Sequence, residues 1–168
     1  MSAPDPWTAL RQHTLARIAL GRTGASLPTA EWLRFAEAHA LARDAVHTPL
    51  DVPALVAALR HHGIEPAVVA SAAPDRATYL RRPDLGRRLA EPSAAELQPG
   101  PAGLAVVLAD GLSARAAQSH ALPLLLALRA HLEAAGDVLG TVAVATQARV
   151  ALGDEVGERV QAGAVLVL

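Results

Sequence analysis

The sequence predicts an α/β protein in which a helical region is followed by a parallel sheet with helices on both faces. Three observations lead to this prediction. Helix caps and glycines bracket helical apolar patterns up to residue 63, four short apolar runs follow, and helical segments separate the last three of these runs. We therefore expect an N-terminal helical region over residues 1–63 and an α/β domain over residues 64–168.

The first predicted helix begins near the N-terminus and ends at Gly21. Asp5 can accept hydrogen bonds from the first helical turn. Pro6 suits the first helical position, because the N–H that it lacks would have no partner there. One face of this helix would be formed by Trp7, Leu10, Thr14 and Ile18.

The second and third helices are predicted from the same kind of signal. Thr29 can cap the second helix, and Asp51 precedes a third helix that Gly63 ends. Apolar side chains recur at helical spacing in the second helix, and they are Trp32, Phe35, Ala36 and Ala40. All three helices thus lie before the region where the spacing changes.

Short apolar runs mark the predicted strands of the α/β domain. They cover residues 67–70, 104–109, 141–145 and 164–168. Each run is continuous rather than alternating, which is typical of parallel strands that are buried on both faces. Residues 114–135, with a break before Pro123, and residues 154–161 are predicted to be the intervening helices. Right-handed crossovers through these helices give a Rossmann-like parallel sheet.

The composition indicates a folded chain with a thin core. The 168 residues are 52% hydrophobic, which excludes a disordered chain, but only 2% are aromatic. Most of the apolar residues are Ala, Leu and Val, and alanine buries little area. We therefore expect a partner surface to supply part of the stabilisation. Because the chain has no cysteine, it offers no disulfide and no thiolate ligand.

The charge balance and the N-terminal segment exclude several classes of partner. A formal net charge of −1 gives no field that would attract nucleic acid or an anionic membrane. The N-terminal residues show no secretory signal, and the longest apolar stretch, residues 121–128, is far shorter than the roughly 20 residues that span a bilayer. The sequence therefore predicts a cytoplasmic protein that binds neither nucleic acid nor membrane.

Two loops are candidate ligand sites because each directly follows a predicted strand. Residues 110–113 (DGLS) follow the second strand, and residues 147–150 (QARV) follow the third. Ligands of open parallel sheets bind at the carboxyl ends of the strands, where such loops meet helix N-termini. For DGLS, an ordinary tight turn with Ser113 as a helix cap is an equally good interpretation.

A cluster of arginines surrounds Tyr79. Its members, all within thirteen positions, are Arg76, Arg81, Arg82, Arg87 and Arg88. In one interpretation, the forked guanidinium groups bind a phosphate or the carboxylates of a partner. In the other, the cluster is an ordinary solvated surface. The sequence leaves both interpretations open.

The sequence offers no self-contained catalytic site. The adjacent His61 and His62 diverge by about 100° on a helix, which does not suit a shared metal ion. His39 follows Phe35 by four positions and is expected to pack against it. Ser113 lacks the GxSxG environment of a hydrolase nucleophile, although His120 lies two turns further along the same helix. We therefore expect neither a catalytic residue nor a metal site within this chain.

Five segments, in one order, resemble a known family. They are ARIALGRTG (residues 16–24), ARDAVH (42–47), RATYLRRPDLGRRL (76–89), VVLADGLS (106–113) and RVALGDEVGE (149–158). In this order they resemble the small (light) subunit of ethanolamine ammonia-lyase. TYLRRPDLGRRL is the most specific of them, and the resemblance extends over nearly the whole chain.

The resemblance implies a role in ethanolamine catabolism as part of a hetero-oligomer. In this family, adenosylcobalamin lies between the small subunit and a large catalytic barrel subunit, and ethanolamine is converted to acetaldehyde and ammonia. The chain would then be inactive alone, and it would work in the cytoplasm or in a bacterial microcompartment. The resemblance assigns a cofactor contact to the backbone amide of Val150. Arg149, Asp110 and Ser113 are weaker candidates at the same strand ends.

Two departures from the family pattern bear on this assignment. Ala148 stands where the family usually has glycine, which restricts the backbone of the loop. Family members also continue beyond the last strand into a Gly-Glu-Arg-Pro-Gly loop and a cysteine-containing segment, both tied to the cofactor. One alternative is therefore a non-enzymatic interaction module that binds the large subunit but has lost the cofactor through truncation. Another is an unrelated α/β protein that binds phosphate or a nucleotide at residues 110–113.

Overall fold

The computed structural model describes residues 6–111 and 113–168 of the chain. The predicted cap Asp5 and Leu112 of the DGLS loop lie outside these residues. The chain divides into two compact units, residues 1–44 and 45–168. Among the described residues, we find no helix whose length and apolarity would let it span a bilayer.

The described part of the first unit begins with the 3-10 helix Pro6–His13. The prediction of one helix running to Gly21 is therefore wrong. Trp7 and Leu10, on its predicted apolar face, are exposed, and a helix with no surface to pack against gains little stability. Instead, the Arg11 side chain donates hydrogen bonds to the carbonyl oxygens of Ile18 and Ala19, at 3.1 and 2.5 Å.

Helix α1 (Thr29–His47) begins where the sequence predicts and ends inside the second unit. It contains no buried residue, and Trp32 on its apolar stripe is 58% exposed. His39 stacks on Phe35 with ring centroids 6.5 Å apart, as the four-residue spacing predicts. The described part of the first unit therefore has no core of its own.

Helix α2 (Val52–His61) is the first helix that contributes buried residues to the core of the second unit, and they are Leu55, Val56 and Leu59. A carboxylate oxygen of Asp51 accepts a hydrogen bond from the Ala54 amide at 3.0 Å, so the predicted cap is confirmed. The chain leaves the helix at Gly63, where φ is +72° and glycine carries no steric cost.

The sheet of the second unit has four parallel strands, as predicted. They are β1 (Ala67–Ala70), β2 (Leu104–Ala109), β3 (Leu139–Thr146) and β4 (Ala164–Val167). Their order across the sheet is β1, β3, β2, β4. β3 is longer than predicted at both ends, whereas β4 ends one residue earlier. Leu168 nevertheless continues the pairing, because its amide donates to the Val107 carbonyl at 2.8 Å.

Both faces of the sheet are covered, since successive residues of β2 point to opposite sides. Val106 and Leu108 pack towards α2 and α5 (Ala114–Ala135). Ala105 and Val107 pack towards α4 (Glu91–Glu96) and α6 (Leu152–Val160). The continuous apolar runs thus reflect two-sided burial in the central strands β2 and β3, whereas the edge strands β1 and β4 are only partly buried.

Helix α5 runs through Pro123 without the predicted break. Pro123 is exposed, while Ala121 and Leu125 on either side of it are buried against the sheet. Because most helical stability in proteins comes from such packing, the missing hydrogen bond at one solvent-facing position does not end the helix. Helix α6 begins two residues before the predicted start and ends at Val160, before the left-handed Gln161.

The segment between β1 and β2 contains short helices that the periodicity did not reveal. They are α3 (Arg76–Arg81), a 3-10 turn (Leu85–Arg87) and α4. Asp75 caps α3 by accepting a hydrogen bond from the Thr78 amide at 2.7 Å. α3 places Arg76 and Tyr79 beside the strand ends of β2 and β3.

Candidate functional site

The candidate site lies where the chain leaves β2 and β3 in opposite directions. From β2 it enters α5 on one face of the sheet, and from β3 it enters α6 on the other face. β2 and β3 are neighbours in the sheet, so a crevice opens between their two loops. This is the position at which open α/β sheets bind ligands.

The buried carboxylate of Asp110 joins the two loops. Asp110 is 5% exposed and immediately follows β2. Its Oδ2 accepts a hydrogen bond from the Gln147 amide at 2.9 Å, and its Oδ1 accepts one from the Ala148 amide at 3.1 Å. Charge-assisted bonds of this kind to two successive amides fix the start of the loop after β3.

Gln147 takes a backbone conformation that favours glycine. Its φ is +53°, in the left-handed region, where a side chain costs of order 1 kcal/mol. The two hydrogen bonds to Asp110 hold this turn in place. The next residue, Ala148, is buried and has no positive φ.

Arg76 holds the loops from the side of α3. Its guanidinium donates to the Gly111 carbonyl at 2.7 Å and lies 3.6 Å from Asp110 Oδ2. It also donates to the side-chain oxygen of Gln147 at 3.3 Å and to the Val46 carbonyl at 2.6 Å. One cation therefore contacts both strand-end loops and neutralises the buried carboxylate.

Tyr79 lies between two guanidinium groups and is 1% exposed. The Arg76 guanidinium is 4.5 Å from the ring centroid, and that of Arg149 is 4.7 Å from it, so both make cation–π contacts. The Tyr79 hydroxyl donates to the Gly111 carbonyl at 3.1 Å. Gly86 packs against this ring, and its carbonyl accepts from the Arg149 amide at 2.8 Å.

Arg149 is fixed by its own contacts with α3. Its Nη2 donates to the Tyr79 carbonyl at 3.0 Å, while its buried Nε has no hydrogen-bond partner among the described residues. Its guanidinium therefore packs on Tyr79 as much as it faces the crevice. The cation–π contact is the main compensation for its burial.

A cleft of about 430 Å³ opens beside these residues. Small and apolar side chains dominate its lining, and they are Ala109, Ala116, Ala117, Ala148, Val167 and Leu168. Val150 stands at its edge and is 75% exposed. Within the described part of the chain, the Val150 amide makes no hydrogen bond. The cleft thus combines an apolar floor with a backbone donor at its rim.

Ser113 also lines the cleft, but its hydroxyl already has a structural role. It accepts a hydrogen bond from the Ala116 amide at 3.2 Å and so caps α5. The helix-cap interpretation of the DGLS loop is thereby confirmed for this side chain. The Ser113 hydroxyl proton and one remaining lone pair are left for a ligand.

The arginine cluster does not form one patch. Arg76 is drawn into the site, whereas Arg82 pairs with Asp84 at 2.7 Å on the surface. This hydrogen bond lowers the pKa of Asp84 from its ordinary 3.8 to about 2. Arg87 and Arg88 are exposed. Two of the five arginines, Arg76 and Arg82, are therefore neutralised by aspartates of the same chain.

Neither the adjacent histidines nor a second cleft provides a better candidate site among the described residues. His61 and His62 make an edge-to-face ring contact at 5.3 Å, and within residues 6–111 and 113–168 no cluster of three metal-binding side chains occurs. A larger cleft of about 760 Å³ lies at the opposite, amino end of the sheet. Its lining includes Glu65, Glu133 and Asp137, which face solvent. We favour the smaller cleft because the strand-end loops converge there.

The fold and the crevice define a class of protein: a parallel α/β domain with a cleft at the switch between β2 and β3. Residues 4–168 match the family model described as "Ethanolamine ammonia-lyase light chain (EutC)", and the chain belongs to this family. The resemblance seen in the sequence is thus confirmed.

Curated relatives carry the same name. The ethanolamine ammonia-lyase small subunit of Azotobacter vinelandii is 51% identical over 98% of this chain and 63% of the relative. That of Pseudomonas aeruginosa is 51% identical over 99% of this chain and 63% of the relative. That of Pseudomonas syringae pv. tomato is 51% identical over 98% of this chain and 59% of the relative. The chain therefore spans about three fifths of the length of the relatives that it matches.

Proposed function

We propose that this chain serves in an adenosylcobalamin-dependent ethanolamine ammonia-lyase, where it holds the cofactor against a large catalytic subunit. The observation that carries the proposal is the Val150 amide at the rim of an apolar cleft, which has no hydrogen-bond partner among the residues that the structure describes. Sheet topology and family resemblance select the same loop independently. The membership of the family supplies the reaction class.

The residues around the cleft suit a corrinoid. The rim of a corrin ring carries amide groups whose carbonyls accept hydrogen bonds. The Val150 amide is a donor that has no partner within residues 6–111 and 113–168. The alanine-rich floor leaves room for a flat, largely apolar ring face. A cleft of about 430 Å³ is much smaller than the whole cofactor, so a second surface must cover the remainder. When bound, the cofactor supplies a carbon-centred radical by cleavage of its cobalt–carbon bond.

The part played by this chain is placement rather than chemistry. The loop after β3 presents a donor, and the apolar floor excludes water from one side of the cofactor. The substrate would be bound and converted on the large subunit. Purified chain mixed with adenosylcobalamin and ethanolamine is therefore expected to release no ammonia.

The first unit supports a hetero-oligomer. None of its described residues is buried, yet it carries exposed Trp7, Trp32 and Phe35. Aromatic side chains are enriched in protein–protein contact surfaces, which fits a partner that covers these three. We expect co-expression with a large subunit to yield a complex that co-purifies, and to increase the amount of this chain in the soluble fraction.

The test compares two substitutions at Val150 in that complex, with cobalamin affinity measured by equilibrium dialysis. Val150→Ala keeps the amide and should leave affinity within a few fold. Val150→Pro removes the donor, and an unpaired polar group on the ligand costs about 1–3 kcal/mol, or roughly ten- to a hundred-fold in affinity. Circular dichroism and complex assembly serve as controls, because proline also restricts the preceding residue.

Each outcome decides a separate part of the proposal. If both substitutions weaken binding equally, or neither does, the amide contact is wrong. If the unsubstituted chain joins the large subunit but binds no cobalamin, the chain is an interaction module instead. If no complex forms at micromolar concentrations, the assignment to the lyase fails.

A further inference from the structure

We propose that Asp110 is a positioning residue for the cofactor site: its carboxylate locks the loop at residues 147–150 and so presents the Val150 amide. This inference rests on the proposed function, since it concerns the same site. Asp110 itself stays buried behind the loop and touches no ligand in this account.

The first support is that one carboxylate serves two consecutive amides of a neighbouring loop. The amides of Gln147 and Ala148 point at the two oxygens of Asp110, at 2.9 and 3.1 Å. Both bonds cross from the end of β2 to the end of β3. They fix the direction in which the next residues, Arg149 and Val150, leave the sheet.

The second support is that the loop would not hold its conformation unaided. Gln147 is one of three residues other than glycine with positive φ among the described residues, the others being Ala19 and Gln161. Gln161 ends a helix, where that conformation is common, whereas Gln147 follows a buried strand. Without the two bonds, Gln147 would gain stability by returning to negative φ, and the Val150 amide would turn with it.

The third support is that Asp110 is itself held in place. The Arg76 guanidinium lies 3.6 Å from Oδ2 and donates to the Gly111 carbonyl beside it. A buried charge without such a partner would be costly, and a paired one keeps a single orientation. The network therefore runs from α3 through Asp110 to the turn at Gln147.

The experiment replaces Asp110 with asparagine in the complex with the large subunit. Asparagine keeps one acceptor but turns an N–H group towards the second amide. We expect cobalamin affinity to fall about tenfold, which corresponds to a loop that is competent about one tenth of the time. Asp137→Asn, which removes an exposed carboxylate at the other end of the sheet, is the matched control and should change affinity less than twofold.

Two further readouts separate positioning from a general loss of stability. In the cofactor-free chain, Asp110→Asn should speed hydrogen exchange at the amides of residues 147–150, while β2 and β3 keep their protection. In the Gln147→Gly background, the turn carries no strain, so Asp110→Asn should lower affinity much less than in the Gln147 background. A purely structural role would give the same loss of affinity in both backgrounds.

The outcomes are distinguishable from those for the proposed function. If Val150→Pro weakens cobalamin binding but Asp110→Asn does not, the positioning role is overturned and the amide contact stands. Uniformly faster exchange over the whole sheet in Asp110→Asn also overturns it. If the unsubstituted complex binds no cobalamin, the proposed function fails. Independently of that result, unchanged hydrogen exchange at residues 147–150 in Asp110→Asn would show that Asp110 does not hold this loop.

Discussion

The edge of the Tyr79 ring lies so close to Gly86 that a Cβ atom added to this glycine would be 3.0 Å from ring carbon Cδ2. The ring cannot move away freely, because guanidinium groups lie on it at 4.5 and 4.7 Å. We predict that Gly86→Ala destabilises the chain by about 1–3 kcal/mol through overpacking. Urea unfolding followed by circular dichroism measures this. An unchanged midpoint would show that the ring has room to shift.

A second close approach joins α6 to β4. A Cβ atom on Gly157 would lie 2.3 Å from Cγ2 of Val165 but 3.7 Å from its Cβ. Alanine gains about 1 kcal/mol of helix propensity, and we expect the clash to exceed this gain, so Gly157→Ala should destabilise by about 1–2 kcal/mol. Val165→Ala removes the clashing methyl group. The double variant should therefore be more stable than the sum of the single changes predicts, and simple additivity would contradict the contact.

The surface pair of Arg82 and Asp84 should make the stability of the folded chain sensitive to acid. The hydrogen bond from Arg82 lowers the pKa of Asp84 to about 2 in the folded chain, below its ordinary 3.8. The folded state thus favours the ionised form, so this contribution to stability is complete above about pH 4 and is lost as the pH falls towards 2. Carboxyl NMR titration should place the midpoint near 2, and Arg82→Gln should raise it. An unaltered midpoint in that variant would exclude the pairing in solution.

Intrinsic fluorescence should not report the unfolding of the α/β unit. Both tryptophans, Trp7 and Trp32, lie in the first unit and are more than half exposed, at 62 and 58%. Their environment is already largely aqueous. We expect the emission maximum to move little in urea while the ellipticity at 222 nm falls through a cooperative transition. A large red shift that coincides with that transition would show that the indoles are buried in solution.

Sequence patterns predicted the α/β unit better than the first unit. The strands were found because two-sided burial leaves continuous apolar runs such as residues 104–109, and α2 because Asp51 and Gly63 mark its ends. The prediction of a helix up to Gly21 was wrong because a helix with a periodic apolar face is stable only when that face packs against a core. The prediction of a break before Pro123 was wrong because the packing of the residues on both sides of Pro123 outweighs one lost hydrogen bond.

The location of the site was predictable, but its internal bonding was not. A strand followed directly by a polar loop pointed to Asp110 and to residues 147–150. That the Asp110 carboxylate binds the amides of Gln147 and Ala148 follows from strand order, because β2 and β3 become neighbours only in the folded sheet. The contribution of Arg76 and Tyr79 depends on the path of α3, a helix too short to show periodicity. The signal for it was the aspartate cap at Asp75.

The order β1, β3, β2, β4 has a consequence for synthesis on the ribosome. β1 and β2 emerge first but are not neighbours, because the later β3 must insert between them. Until β3 has left the exit tunnel, the growing chain has two apolar strands with no partner for the edges that face each other. Parallel pairing over such separations is slow, and unpaired edges are sites of aggregation. The nascent chain is therefore expected to need chaperone protection until β3 is available, and to gain most of its protease resistance in one late step.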